Sequence, residues 1–211
     1  MQPKKFSAGP PSLRDVLLIA APIMLSNATT PLIGFVDATV VGQLGSAQLI
    51  GGVAMASVMF NAIFWGFGFL RMSTTGFAAQ AFGAGNTNEV AATLYRAVIL
   101  AIVGGLMVVV LQTPLRQLFF WFLGGSQPVQ DAARAYYDWR IWAAPAGLVN
   151  FALLGWFIGL GRAGTAFWLQ LGLNVLNIVF ALILTLQLGY GVPGVGMAAC
   201  AAEWLAVAAG Q

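Results

Sequence analysis

The chain has 211 residues, 60% of them hydrophobic and only 7% charged, with a mean hydropathy of +0.86; a soluble domain usually carries about 25% charged residues. This composition excludes a water-soluble globule and marks an integral membrane protein. Nine Lys and Arg against six acids leave a net charge of +3, with no basic run beyond Lys4-Lys5, so the electrostatic footprint of a nucleic-acid binder is missing.

The N-terminus, MQPKKFSAGPPSLRD, is polar and Pro-rich, and Ser12-Leu13-Arg14-Asp15 fits a capping box with Pro10-Pro11 just outside it. Residues 1–12 therefore read as a cytoplasmic segment and residues 13–211 as a membrane bundle. The apolar stretch after residue 12 is too long for the core of a signal peptide, so helix 1 stays attached. Its central part, Leu17 to Val41, is long enough to cross a bilayer, which takes about 20 mainly apolar residues. Pro22 and Pro31 each remove a backbone donor and bend it, and such breaks survive in membranes only where a neighbour or a cavity satisfies the freed carbonyls. The stretch also carries one acid, Asp37, costly enough in that place to be a functional residue by default.

Helix 1 ends near Gly42, and helix 2 covers about Leu49 to Phe77, with Asn61, Arg71 and Ser73-Thr74-Thr75 as its polar content. The loop QAFGAGNTNE breaks the pattern, and Asn88 can cap the next helix. Helix 3 runs from about Val90 to Leu111 and is closed by Thr113-Pro114. The aromatic stretch between Leu115 and Asp131, with Phe119, Phe120, Trp121 and Phe122, suits an interfacial segment.

Helix 4 spans about Gln130 to Leu160. Its charged start, DAARAYYDWR, is expected to project beyond the hydrocarbon, with Tyr136, Tyr137 and Trp139 in an aromatic belt or at the outer mouth. Gly155 and Gly159 form a GxxxG pattern suited to tight helix packing. Helix 5 covers about Thr165 to Leu188, and helix 6 starts near Gly194 and is still apolar at Gln211. The expected fold is all-α: a polytopic six-helix transmembrane bundle, and a chain still apolar where it stops reads as a fragment.

Six helices put both ends on one side. With the N-terminus cytoplasmic, Lys4, Lys5, Arg14, Arg96 and Arg162 lie inside against Arg116, Arg134 and Arg140 outside, in line with the positive-inside rule in a multi-pass protein of the inner (plasma) membrane. Ala20-Ala21-Pro22 with Asn27 and Ala143-Ala144-Pro145 with Asn150 both read AAPxxxxN, the kind of internal echo found within transporter halves.

Histidine is absent and there is one cysteine, Cys200. Carboxylates are then the proton carriers near neutral pH, the commonest metal ligand is missing, and nothing calls for a cofactor or a structural metal. An intramembrane enzyme needs paired catalytic groups, and the chain has no GxGD-type aspartyl pair and no GxSxG elbow. No residue is assigned a catalytic role.

Taken together, FVDATVVGQLG, FLRMSTTGFAAQAFGAGN, RIWAAPAGLVNFALLGWFIGLGRAGT and LNVLNIVFALILTLQLGYGVPGVGMA resemble the multidrug and toxic compound extrusion transporters. The RMSTTGFAAQAFG run is most similar to the branch named after DNA-damage-inducible protein F. The resemblance implies two six-helix lobes facing each other across a central cavity, of which this chain is the first. It also implies export of organic, often cationic, small molecules in exchange for H⁺ or Na⁺.

In that family an acid on helix 1 is paired with an Asn and a second acid one turn later on helix 5. Asp37 matches the first and Asn177 the Asn, but Ala181 stands where the second acid belongs, and Ala199 replaces a helix 6 hydroxyl. A hard cation needs several oxygen ligands, so the departure favours H⁺ over Na⁺. Asn174 shares the Asn177 face and is the third candidate for the coupling site; Glu203 and Arg71 are candidates for the solute or ion pathway.

Each assignment has a plainer reading beside it. Asp37 can be a carboxylate permanently paired with Arg71 or hydrogen-bonded to Asn177; the two amides can glue helices; Glu203 can sit at depth paired with an Arg; and Arg71 can snorkel to the cytoplasmic interface. At the level of function, the alternatives to an ion-coupled exporter are a flippase for a lipid-linked sugar, which a groove lined by several cations favours, and a non-transporting structural subunit. The partners to expect are small organic solutes, H⁺ or Na⁺, membrane lipids and the C-terminal lobe.

Overall fold

The computed structural model describes Met24 and residues 34–210. The capping box, Pro22, Pro31 and the first AAPxxxxN copy lie outside these residues. The described chain is almost wholly helical, without a strand. In order it forms α1 (34–42), α2 (Ala47–Gly66), α3 (Gly68–Gly83), α4 (Thr87–Val110), α5 (Gln112–Leu123), α6 (Gln127–Arg140), α7 (Ala144–Gly159), α8 (Ala163–Leu182) and α9 (Gly191–Ala209). Among the described residues, five stretches are long and apolar enough to cross a membrane: Ala47–Gly83, Thr87–Val110, Gln127–Gly159, Ala163–Gln187 and Gly191–Ala209.

Two of these spans are bent where the sequence removes helical support. α2 and α3 meet at Phe67, flanked by Gly66 and Gly68, where the Phe67 N–H donates to the Phe64 carbonyl at 3.0 Å. Paired glycines cost helix stability and let the ladder tighten into a kink there. α6 and α7 are joined by a 3₁₀ turn, Ile141–Ala143. Pro145 has no N–H to give to the Ile141 carbonyl, and that carbonyl instead accepts from Ala144. The second AAPxxxxN copy therefore marks the bend that carries Asn150 inward. α8 likewise runs into a π turn, Ile183–Gln187, closed by the Leu188 N–H to the Ile183 carbonyl at 2.9 Å.

The α6–α7 span is the most buried of the five and forms the hub, with α2 and α9 against α6 and α3 and α4 against α7. Small residues set these approaches. A Cβ on Gly155 would fall 2.6 Å from the Arg71 carbonyl oxygen, and one on Gly159 would fall 2.7 Å from that of Thr75, so the GxxxG face of α7 seats directly on the backbone of α3. A Cβ on Gly196 of α9 would likewise lie 2.7 Å from the Tyr136 carbonyl oxygen. The largest apolar core gathers around Phe60, Tyr136, Tyr137 and Val195, a second around Leu70, Ala101, Leu148 and Ala152. Large side chains such as Trp65, Val110 and Trp121 remain on the outside, as a lipid-facing surface requires.

Four local expectations change. Asn86, not Asn88, caps α4, its side chain accepting from the Glu89 N–H at 3.1 Å. The aromatic stretch after Leu111 is itself a helix, α5, ending in Gly124, whose φ of +64° stops it. The sixth predicted helix begins at Gly191 rather than Gly194. Most consequentially, the charged start of helix 4 does not form an outer belt. Tyr136 and Tyr137 are fully buried and only Trp139 stays half-exposed, because the tyrosines pack around Phe60, with ring centroids 6.3 and 5.2 Å away, and turn Arg140 inward.

Candidate functional site

Asp37 sits on α1 with no solvent exposure, and three donors converge on its carboxylate. The Tyr136 hydroxyl donates to Oδ2 at 2.5 Å, and the Arg140 guanidinium reaches the same oxygen at 3.3 Å. With its amide turned to satisfy both neighbours, Asn177 donates to Oδ1 at 3.3 Å and accepts from the Ala199 N–H at 3.3 Å. Arg140 also donates to the Tyr136 oxygen, so the three groups form a ring of charge-assisted hydrogen bonds. Tyr136 and Arg140 are four residues apart on α6 and so leave it on one face. The guanidinium lies over the Phe60 ring at 5.0 Å and the Tyr136 ring at 5.4 Å, a stacked placement that suits Arg and would not suit Lys.

Beside this ring lies a cavity of about 390 Å³. Gly34 and Ala38, the α1 residues on either side of Asp37, form part of its wall, and Arg140 forms another part. The carboxylate is therefore hidden from the cavity by its own helix and by its own counter-ion. Across the cavity, on α9, the Glu203 carboxylate accepts from Asn150 Nδ2 at 2.5 Å, and the same amide donates to the Glu203 backbone carbonyl at 3.2 Å. Glu203 and Arg140 both line this cavity, so the arginine that pairs with Asp37 shares the cavity wall with a second acid. Ser57, Asn61 and Arg71 add polar lining, and Phe64, Phe151, Leu154 and Leu173 supply apolar walls. Among the described residues, Asn150 Oδ1 and Ser57 Oγ are buried without a hydrogen-bond partner.

The structure brings Asp37 and Asn177 together. Asn174, one turn earlier on α8, is buried and accepts from Gln170 Nε2 at 3.4 Å, and Gln170 in turn lines the cavity. Ala181 is fully buried among apolar neighbours, so no oxygen ligand comes from the next turn. Glu203 and Arg71 share the cavity wall but not the Asp37 ring.

Tyr136 and Arg140, the groups that hold Asp37, do not stand out in the sequence, which offers Arg71 or Asn177 as its partner. The signal available was a Tyr and an Arg four apart in a segment whose Ala132, Ala133, Tyr136 and Tyr137 trace a buried face. The cavity is also lined by two arginines, Arg71 and Arg140.

Chemically, the ring can keep one negative charge neutralised in a dry place, and can let that charge be removed by a proton without rebuilding a coordination shell. It is poorly made for a hard cation. Its inward atoms are hydroxyl, amide and guanidinium donors, a fixed positive charge stands 3.3 Å from the carboxylate, and a Na⁺ or Ca²⁺ site needs several converging oxygens. No group of three or more His, Cys, Asp or Glu placed to hold a metal occurs among the described residues.

Residues 22–183 match the family described as MatE. The chain is 40% identical over 186 residues to DNA damage-inducible protein F of Escherichia coli, an alignment that spans 88% of this chain and 40% of that protein. It is 27% identical over 209 residues to a probable multidrug resistance protein NorM of Rhodopseudomonas palustris, covering 97% of this chain and 44% of the relative. Its fold superposes with a TM-score of 0.84 at 20% identity on a crystal structure of MATE in the bent conformation, covering 92% of this chain and 43% of that one. It also superposes with a TM-score of 0.83 at 20% identity, over 92% and 43% of the two chains, on an outward-facing multidrug resistance MATE family transporter of the MOP superfamily. The chain thus spans less than half the length of the relatives it matches.

Proposed function

Because this chain belongs to the MatE family, a family of membrane transporters, we propose that the complete protein is a secondary antiporter that exports small organic compounds, with H⁺ rather than Na⁺ as the driving ion. In this reading residues 13–211 are the first of two six-helix lobes in the plasma membrane, residues 1–12 are cytoplasmic, and the second lobe closes the solute chamber. One observation carries the reading: a fully buried carboxylate held by an arginine that is itself part of the wall of a 390 Å³ cavity.

The mechanism follows from that shared arginine. With Asp37 ionised, Arg140 is neutralised on the α1 side and the Tyr136 hydroxyl donates into the pair. A proton on Asp37 removes the counter-charge, and Arg140 is left facing Glu203 across the cavity. A buried charge without a partner costs several kcal/mol, so protonation favours an arrangement in which Arg140 moves toward Glu203 and α1 is released from α6. A ligand or a proton can shift a two-state carrier only by its unequal affinity for the two states, and this exchange of partners supplies such an inequality. Asn177, tied to both Asp37 and the Ala199 N–H, holds α8 and α9 in register with the event. Asn174 supports it through Gln170.

The preference for H⁺ is supported by the guanidinium beside the carboxylate and by Ala181, which contributes no ligand. The direct test is Asp37→Asn in the full-length protein expressed in an efflux-deficient host. Resistance to toxic compounds should be lost while membrane insertion is retained; unchanged resistance would remove Asp37 from the mechanism.

A further inference from the structure

Arg71 on α3 has no place in the exchange between Asp37, Arg140 and Glu203, and its surroundings differ from those of every other buried charge. Asp37 and Arg140 neutralise each other, and Glu203 is bonded by Asn150 and faces Arg140. The three ion pairs among the described residues are Arg96–Glu89, Arg116–Asp138 and Arg140–Asp37. Arg71 belongs to none of them, though it is half-buried in a membrane span and forms part of the cavity wall. Its backbone is packed tightly on α7, where a Cβ on Gly155 would fall 2.6 Å from the Arg71 carbonyl oxygen. A guanidinium held at depth without a counter-ion is expensive, and such residues face cavities where something else supplies the charge.

A second, independent observation lies in the same cavity. Asn150 is only 3% exposed and its Nδ2 is used twice, yet its Oδ1 has no donor. A buried amide oxygen left unmet costs roughly 1–3 kcal/mol, so its presence in the wall calls for an N–H or O–H from whatever enters. Phe64, Phe151 and Leu154 line the same cavity and supply apolar surface.

We infer that Arg71 and Asn150 form a receptor for an acidic group on the transported solute: an amphiphile whose carboxylate, sulfonate or phosphate monoester sits on Arg71. An adjacent N–H or O–H of the solute meets Asn150 Oδ1, and its apolar body lies on the phenylalanines. The inference rests on reading this cavity as the solute chamber, and it adds an acidic class to the organic, often cationic, cargo that the family resemblance implies. Arg favours such a group over a neutral one because its planar donors match two oxygens at once.

The test uses equilibrium binding to the full-length protein in nanodiscs with no ion gradient, so that it does not depend on coupling. Two probes share one aromatic body and carry opposite charge, 4-(1-pyrenyl)butyrate and 4-(1-pyrenyl)butyl-trimethylammonium. Arg71→Gln should weaken the acid probe about tenfold or more, the size of a lost charge-assisted hydrogen bond, and leave the ammonium probe bound as tightly as before or more tightly, since a like charge is removed. Arg71→Lys should restore a large part of the acid binding. On the wild-type protein, alkylsulfonates and alkyl phosphates should displace the acid probe while tetraalkylammonium ions do not. Nanodiscs with and without phosphatidate separate a lipid headgroup from a free solute as the source of the acid. Equal loss of both probes in Arg71→Gln, unchanged acid binding, or displacement by the ammonium ions alone would overturn the assignment. Should Asp37→Asn leave transport intact while the acid probe still depends on Arg71, the coupling reading fails and this one stands.

Discussion

Around Asp37 the polar atoms meet one another within 3.3 Å, whereas elsewhere along the same cavity wall Arg71 has no ion pair and Asn150 Oδ1 no donor among the described residues. Both regions are built from the same few residue types on neighbouring helices. The difference lies in whether the chain closes its own circuit. A closed circuit holds a charge state and can switch between partners, while an open one is completed only when something else arrives. On the proposed reading as a carrier these are two separate tasks, and Arg140 belongs both to the Asp37 ring and to the cavity wall.

The largest effect should come from breaking the closed circuit. Arg140→Gln leaves the Asp37 carboxylate buried with its cation gone, a loss of about 3–5 kcal/mol in stability for a broken buried pair. In the double variant Asp37→Asn/Arg140→Gln, thermal stability in detergent should recover most of that loss while transport stays absent. If both properties recovered together, the pair would be structural only. A smaller effect is expected from Tyr136→Phe, which removes one donor to the carboxylate and should lower stability by about 1.5–3 kcal/mol, read as a shift in melting temperature with insertion unchanged. The smallest belongs to the open region. Arg71→Gln removes a charge that no neighbour compensates, and the stability of the ligand-free protein should stay within about 0.5 kcal/mol of wild type or rise. A large destabilisation there would mean that Arg71 is held by a partner and that the contrast is false.

Much of this architecture is written in local rules. The apolar stretches announce the spans, Gly66-Phe67-Gly68 and Pro145 explain the two bends, and Gly155 with Gly159 explains how α7 reaches the backbone of α3. Asp37 stands out because an acid in an apolar helix is costly, and Asn177 because it matches a family pattern. Tyr136 and Arg140 were not legible, and the reason is physical. A segment as charged as DAARAYYDWR reads as solvated when judged by its own composition, and only the tertiary pairing with an acid 99 to 103 residues away makes its burial favourable. Periodicity locates a buried face but does not say which distant charge will neutralise it. The state of Arg71 was hidden for the same reason, since a missing partner can be recognised only once the neighbours are known.

The central claim is that the charge on Asp37 drives the carrier and that a proton, not a metal ion, changes it. It is tested most directly by reconstituting the full-length protein and its Asp37→Asn variant into Na⁺-free liposomes and following a fluorescent organic cation after an imposed pH gradient. The account predicts uptake against its gradient by the wild type, with no requirement for added Na⁺, and a rate lower by at least about 100-fold in the variant, equivalent to roughly 3 kcal/mol. Uptake that appears only when Na⁺ is supplied, or that proceeds equally in both proteins, would contradict it.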